Sequence, residues 1–200
     1  MNLSVDDYLA QLPGGPEAFS ECLSTVEVSL LIRDRMRDAG LVPASKLLAP
    51  LFAGDYDNQK YVPEVLGVAL QHAYRELAFD RDEAFLQEMR AVNGHVFQSP
   101  VYRALMKLLS PSLVVLGAGK RWRAFHTHGE LKVNPVNVET GRKAVAAQLV
   151  SPAHLYTELY LHSTAAAFIA AVSLTGAADV RVELTEWSET GGHYQCSWAS

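Results

Sequence analysis

The fold is decided by residues 152–198, which read PAHLYTELYLHSTAAAFIAAVSLTGAADVRVELTEWSETGGHYQCSW. Ser151 and Pro152 are typical of a helix start, because a hydroxyl can cap the first free N–H groups and proline fits the first turn. Apolar residues then recur at helical spacing, and Gly176 can end the helix in the left-handed conformation. This segment therefore predicts one long helix that starts at Pro152 and ends before Gly176.

Two stretches after this helix alternate between apolar and polar side chains, at residues 179–186 and 193–198. Such alternation is typical of half-buried strands. Gly191 and Gly192, which lie between them, can take the positive φ angles of a hairpin turn. The helix and the hairpin each have one apolar face, and each needs the other to exclude water. We therefore expect a helix packed on an antiparallel sheet.

The first 116 residues are predicted to be nearly all helical, apart from a loosely ordered N-terminal arm over residues 1–20 that contains the breaker PGGP. The first helix signal is Ser24-Thr25-Val26-Glu27, which resembles a capping box. Helix start and stop signals bound predicted helices over residues 24–39, 63–78, 80–92, 100–109 and 110–116.

The pattern changes after residue 117. Residues 121–127 alternate and predict a strand, and residues 130–133 continue as a second strand beyond a turn. Residues 143–150 fit either a strand or a helical turn, and we favour the strand. The predicted fold is α+β, with a helical N-terminal part (21–116) packed on a C-terminal antiparallel sheet with a long helix (117–200). Residues 21–200 are expected to form a single domain.

Composition narrows the class of protein. Apolar residues make up 49% and charged residues 20% of the chain, which is typical of a globular domain. The net charge of −5 argues against general nucleic-acid binding, because phosphate contacts need clustered Lys and Arg. No apolar run is long enough for a membrane span, and the acidic N-terminus does not resemble a signal peptide. We therefore expect a cytoplasmic protein in which Cys22 and Cys196 form no disulfide.

Four short strings carry a resemblance: STVE at residues 24–27, RWRAF at 121–125, GAADVRVE at 176–183 and YQCSW at 194–198. Together with the long helices, they resemble a family of short proteins of unknown function known chiefly from myxobacteria. That family looks distantly similar to the superfamily of heme–nitric-oxide-binding domains, vinyl-reductase-type ligand-binding domains and vesicle-tethering subunits. The resemblance implies the same α+β architecture.

The resemblance also bears on cofactors. Its heme-binding branch typically has a Tyr-x-Ser-x-Arg motif that binds the heme propionates, and this sequence has none. The expectation from the sequence is therefore that heme is not the cofactor. A vinyl-reductase-type metal site needs more cysteines than the two present.

His126 and His128 are the sharpest candidate for a metal site. Alternate residues of a strand point the same way, about 6.5–7 Å apart, so two such histidines can share one metal ion. Glu130 could join them only if Gly129 bends the chain. The alternative is a polar turn between two strands.

A second group has helical spacing: His154, Glu158 and His162 are each four residues apart. On one helix face, adjacent pairs could bind a metal ion or relay protons. A partly solvated helix face is the favoured interpretation. Gly117 and Gly119 resemble half of a dinucleotide-binding fingerprint, but position 122 is tryptophan where the third glycine belongs, so we expect a simple turn there.

The leading hypothesis from the sequence is a non-enzymatic cytoplasmic module for signalling or regulation, and a homodimer. It binds a small apolar or amphipathic molecule or a protein partner. The expected pocket lies between the N-terminal helices and the sheet, near Trp122, His126, Tyr156 and Tyr160, since ligand cavities are largely apolar with a few polar groups. One alternative is a metal-dependent enzyme or metal sensor that uses His126 and His128. A second alternative is a scaffolding protein without a ligand.

Overall fold

The structure is a computed structural model that describes residues 3–98, 110–136 and 141–199. Its helices are α1 (Val5–Gln11), α2 (Glu27–Asp38), α3 (Ala49–Ala53), α4 (Glu64–Ala78), α5 (Asp82–Phe97), α6 (Pro111–Leu116), α7 (Ala118–Phe125) and α8 (Glu158–Ser173), with 3-10 turns at Pro16–Phe19 and Lys46–Leu48. Its strands are β1 (Leu23–Thr25), β2 (Tyr61–Pro63), β3 (Glu130–Val136), β4 (Arg142–Val150), β5 (Arg181–Ser188) and β6 (Gly191–Ala199).

The C-terminal half is built on a four-stranded sheet in the order β3-β4-β6-β5, with every neighbouring pair antiparallel. One face of the two central strands is buried, and its side chains alternate along each strand as the sequence predicted. These buried side chains are Val145, Ala147, Leu149, Tyr194, Cys196 and Trp198. The predicted α+β fold class is confirmed, and residues 143–150 are strand.

Helix α8 lies between this sheet and α5, with contacts to both. Tyr194 on β6 donates a hydrogen bond from its hydroxyl to the Leu161 carbonyl, 3.1 Å away. The Phe168 ring meets the Tyr194 ring edge-on, with centroids 5.3 Å apart. The predicted packing of the long helix on the hairpin is therefore present.

Helix α4 is the centre of the N-terminal half. Its residues from Glu64 to Tyr74 are all buried, because α1, α2, α5 and α8 surround it. Helix α1 belongs to the stretch predicted to be a loosely ordered arm, yet Tyr8 on α1 is fully buried. The Tyr8 hydroxyl donates to the Leu155 carbonyl at 3.0 Å, so α1 joins the N-terminal segment to the C-terminal half.

Residues 118–125 form helix α7, so the strand predicted over residues 121–127 is wrong. Helical i, i+4 spacing also places Trp122 and His126 on one side, so the alternation there had two interpretations. Gly119 lies where α7 packs on β3, and a Cβ on it would be 2.4 Å from the Leu131 carbonyl oxygen. This glycine permits close contact between helix and strand, which explains it without a nucleotide.

Two predicted helix ends in the N-terminal half also differ. The predicted capping box is wrong: Ser24 lies in β1, and α2 begins at Glu27 with no side-chain cap. Helix α5 continues through Gly94 to Phe97, because its packing outweighs the modest helix penalty of one glycine. The helix predicted over residues 100–109 lies outside the described residues.

Helix α8 begins at Glu158, later than the predicted start at Pro152. Its N-cap is Thr157, whose hydroxyl accepts a hydrogen bond from the Tyr160 amide. His154 has a left-handed φ of 66° and is outside the helix. The predicted face of His154, Glu158 and His162 therefore does not exist as one helical stripe.

His72 on α4 is hydrogen-bonded to Thr157, the N-cap residue of α8. Its Nδ1 lies 2.9 Å from the Leu3 carbonyl and its Nε2 lies 2.8 Å from the Thr157 hydroxyl. A carbonyl only accepts, so Nδ1 carries the proton and Nε2 of the neutral ring accepts from Thr157. Burial lowers the pKa of His72 to about 4, although the hydrogen bond to Leu3 opposes this shift.

We expect His72 to make stability pH-dependent. The pKa of His72 in the unfolded chain is about 6.5, so between pH 6.5 and pH 4 the unfolded chain binds a proton that the folded chain does not. Stability should therefore fall as pH decreases through this window, by about 3 kcal/mol in total. Urea unfolding at pH 7 and pH 4 measures the drop. It should be much smaller in His72→Gln but unchanged in His193→Gln, which alters an exposed histidine. An equal drop in all three proteins would contradict this role.

Candidate ligand-binding site

The site is organised by a buried carboxyl group that sequence reasoning missed. Glu64 is the first residue of α4, directly after β2, and its amide donates to the Cys22 carbonyl at 2.8 Å. The β1–β2 pair thus fixes where its side chain starts. An acidic residue in the first turn is favourable for the helix dipole, but this one is only 1% exposed. The signal in the sequence was a lone acidic residue within the otherwise apolar stretch 62–70.

Three donors from distant parts of the chain meet one oxygen of Glu64. His126 Nδ1 and the Tyr156 hydroxyl each lie 2.6 Å from Oε1, and the Tyr160 hydroxyl lies 3.4 Å from it. The other oxygen, Oε2, is buried and has no hydrogen-bond partner among the described residues. Hydrogen bonds to a carboxyl group in a medium of low dielectric constant are strong, so this arrangement fixes the side chains that form it.

Stacked rings surround the carboxyl group. His126 stacks on Trp122 with centroids 3.8 Å apart and planes 11° apart, and Tyr156 stacks on Tyr160 at 4.6 Å and 10°. Each pair is four residues apart in the chain. The Trp122 ring meets Tyr156 edge-on at 6.4 Å, so the two stacks touch. We call these four residues, with Glu64, the Glu64 cluster.

The tyrosines of this cluster stay protonated. Burial, followed by the nearby charge of Glu64, raises the pKa of both Tyr156 and Tyr160 well above the usual value. The same two causes raise the pKa of Tyr8, which packs nearby. Their hydroxyls therefore act as hydrogen-bond donors to Glu64 and do not serve as bases at neutral pH.

A cavity of about 180 Å³ lies against the Glu64 cluster. Trp122, His126 and Tyr160 form part of its wall, and α2, α4, α5, α6 and α8 supply most of the rest. Leu131 of β3 contributes from the sheet. The lining is mainly apolar, with a few buried polar groups, which is the usual composition of a small-molecule site.

The structure brings the four predicted pocket residues together, but not all on one cavity. Tyr156 contacts Glu64, yet it lines a second cavity of about 290 Å³ together with His72, His154 and Trp187. The pair of Tyr156 and Tyr160 thus separates the two cavities. Binding of a ligand by Trp122, His126, Tyr156 and Tyr160 remains a prediction.

The two histidines proposed as metal ligands do not share a strand. His126 ends α7, and its ring is held by Glu64 and Trp122. His128 Nδ1 lies 3.3 Å from the Thr127 hydroxyl. Within residues 3–98, 110–136 and 141–199, no three or more His, Cys, Asp or Glu side chains are grouped to hold a metal ion. The strand geometry on which the shared metal was predicted is therefore wrong.

Comparison with solved structures finds H-NOX domains. A point mutant of T. tengcongensis H-NOX has a TM-score of 0.54 at 8% identity, covering 88% of this chain and 96% of that chain. The Fe(II) unliganded H-NOX protein from K. algicida has a TM-score of 0.53 at 7% identity, covering 88% and 97%. A Cs H-NOX mutant with an unnatural amino acid has a TM-score of 0.52 at 10% identity, covering 88% and 95%. No protein-family model and no curated protein sequence matches the chain.

At these identities the likeness shows the fold alone, and it defines an α+β domain of H-NOX-like fold. The resemblance stated from the sequence included heme–nitric-oxide-binding domains among three branches of a superfamily, and the observed fold agrees with it to that extent. No helix within the described ranges is long and apolar enough to cross a membrane.

The expectation that heme is not the cofactor is wrong in its reasoning. It rested on a missing linear motif, whereas the solved structures of similar fold are H-NOX domains, one of them in the Fe(II) form. Polar side chains that are far apart in the sequence can meet in one place, as the Glu64 cluster shows. The missing linear motif therefore does not exclude heme.

Proposed function

We propose that this chain is a non-enzymatic small-molecule-sensing domain, with its ligand in the cavity beside the Glu64 cluster. The observation that carries the proposal is the apolar cavity whose wall holds His126, with Nδ1 of that ring bound to a buried carboxyl group. The H-NOX-like fold supports it, because those neighbours include a protein described in its Fe(II) form. Trp122, Tyr156 and Tyr160 hold His126 and Glu64 in place.

The donor set of this cavity fits heme. Metal-binding histidines usually donate their second ring N–H to a carboxylate, and His126 has that arrangement with Glu64. Its Nε2 has no partner among the described residues and would be the iron ligand. The Arg121 side chain also lines the cavity and would neutralise the heme carboxylates. A bound heme would supply an iron centre for small gas molecules.

Hemin titration tests this version. We expect the purified chain to bind hemin with a sharp Soret band, and His126→Ala to shift that band and weaken binding by at least about tenfold. His95→Ala is the matched control, because His95 is an exposed residue of α5. Circular dichroism verifies that each variant is folded. Absence of a Soret band from the wild type overturns the heme version, and an unaltered band in His126→Ala overturns the role of His126.

A second candidate is a smaller ligand without heme. The cavity volume of about 180 Å³ is below the roughly 300–1,000 Å³ of pockets for drug-sized molecules, so heme would require the walls to separate. A small apolar or amphipathic molecule would not. Native mass spectrometry of the purified chain, repeated under denaturing conditions, separates the candidates by the mass that is released.

The role of the protein in the cell, its oligomeric state and its partner are also proposals. We infer a signalling or regulatory protein of the cytoplasm that forms a homodimer, with a protein partner that reads the ligand state. Membership in the family of short myxobacterial proteins, and a single domain over residues 21–200, are part of the same proposal. The native mass spectrum reports the oligomeric state directly, and a monomer at micromolar concentration would contradict the homodimer.

A further inference from the structure

One buried polar side chain in the cavity wall makes no hydrogen bond within the described part of the chain. Gln71 on α4 is 6% exposed, and its Oε1 is buried without a hydrogen-bond partner. No hydrogen bond joins its carboxamide to any other residue in the described part of the chain. A buried amide without partners destabilises the folded protein, because it has lost its water and gained nothing in return.

Two other buried polar side chains in the wall, Asn93 and Thr164, form hydrogen bonds within their own helices. Asn93 Nδ2 donates to the Met89 carbonyl at 2.8 Å, and the Thr164 hydroxyl donates to the Tyr160 carbonyl at 3.0 Å. Both bonds run back along the helix that carries the residue. Gln71 makes no such bond, so the carboxamide of this cavity-lining residue is left without a partner in the described part of the chain.

The cavity wall near Gln71 is polar, and other parts of the wall are apolar. Gly67 lies one helical turn earlier and faces the same cavity. A Cβ on Gly67 would lie 3.5 Å from the Ser29 hydroxyl oxygen and 3.8 Å from that of Ser24. The glycine thus leaves two hydroxyls close to the turn that carries Gln71. Elsewhere in the lining, α5 and α6 contribute apolar side chains such as Val96 and Val114.

We propose that Gln71 is the polar anchor of the cavity, and that it selects a ligand with an apolar body and a hydrogen-bond donor and acceptor on neighbouring atoms. Primary amides, lactams and protonated carboxylic acids have this chemistry. The pairing does not depend on which way the carboxamide is turned, since both orientations present one donor and one acceptor. This inference rests on the proposed function, because it assumes that the cavity binds a small molecule.

Three probes of similar size measure the contribution of Gln71 in hemin-free protein: benzamide, acetophenone and ethylbenzene. Benzamide has the donor and the acceptor, acetophenone has the acceptor only, and ethylbenzene has neither. Ligand-observed NMR gives the affinity of each. We expect benzamide to bind about tenfold more tightly than ethylbenzene, with acetophenone between them.

Gln71→Leu keeps the size of the side chain and removes both polar atoms. We expect it to lose about tenfold in benzamide affinity and to bind ethylbenzene at least as well as the wild type does. Without ligand, its midpoint temperature should rise, because the buried amide is gone. Gln87→Leu is the control, since Gln87 is exposed on α5 and outside the cavity.

The outcomes separate the two proposals. Equal binding of benzamide and ethylbenzene, or an unchanged benzamide affinity in Gln71→Leu, overturns the role of Gln71 and leaves the ligand cavity supported. Failure of all three probes to bind the wild type overturns both the anchor and the candidate of a smaller ligand without heme, while the hemin titration tests the heme version separately. A lower midpoint temperature of thermal unfolding in Gln71→Leu also counts against the anchor, since it would show that the amide stabilises the fold.

Discussion

Replacing Glu64 with alanine is expected to lower the free energy of unfolding by about 3–5 kcal/mol. The substitution removes the acceptor of two 2.6 Å hydrogen bonds, from His126 and Tyr156, and of a longer one from Tyr160. A buried donor left without a partner costs about 1–3 kcal/mol, and breaking a buried network costs about 3–5 kcal/mol. Urea unfolding followed by circular dichroism measures the change.

The matched control for this experiment is Glu76→Ala. Glu76 lies on the same helix but is exposed, so its replacement should change stability by less than about 0.5 kcal/mol. Glu64→Gln keeps an acceptor and nearly the same volume, and a smaller loss than that of Glu64→Ala is expected. A loss below about 1 kcal/mol in Glu64→Ala would show that the three donors find other acceptors and that the cluster is not a structural centre.

Replacing Gly191 with alanine should be about as damaging. Gly191 begins β6 at the hairpin turn with φ of 133°, and a Cβ there would lie 1.9 Å from the Leu149 carbonyl oxygen and 2.9 Å from its carbon. These are backbone atoms of β4, so they can move only if the β4–β6 ladder opens. Backbone strain of about 1–3 kcal/mol and overpacking of about 1–3 kcal/mol together predict a midpoint temperature on the order of 10 °C lower.

Gly94→Ala is expected to raise stability, in contrast to Gly191→Ala. Gly94 is inside α5, and among the described residues a Cβ on it would meet no atom within 4 Å beyond its chain neighbours and its own helix backbone. Alanine is the better helix former there, so a gain of about 0.5–1 kcal/mol is expected. Thermal unfolding of both variants tests whether the effect of a Gly→Ala substitution on stability is determined by the atoms that the new Cβ meets. If Gly191→Ala were as stable as the wild type, β4 and β6 would be able to move apart at the hairpin turn without loss of stability, which would contradict this prediction.

Local patterns explain which parts of the fold could be predicted. The hairpin of β5 and β6 has strict alternation on both sides of a glycine turn, so its signal is contained in about 20 neighbouring residues. Helix α7 is different, because the spacing of Trp122 and His126 suits one face of a helix or of a strand. The packing of this segment on β3 favours the helix over the strand. The sequence pattern of residues 118–125 does not reveal that packing.

The candidate site was only half predictable for the same reason. Trp122, His126, Tyr156 and Tyr160 were recognisable as aromatic and polar residues of the C-terminal half. Glu64 was not recognised, because its importance depends on donors from the opposite end of the chain. The buried amide of Gln71 is even less visible in the sequence, since it is identified by the partners that it lacks.

The joining of Glu64 to Tyr156 and Tyr160 has a consequence for synthesis of the chain. Residue 160 leaves the ribosome roughly 5–20 s after residue 64, at about 5–20 residues per second. During that interval α4 has none of its contacts with α8, and its apolar surface is open to chaperones. Tyr8 waits longer still for the Leu155 carbonyl, because 147 residues separate the two. The contacts between α4 and α8, which include that of Glu64 with Tyr160 in the candidate site, therefore form late in synthesis.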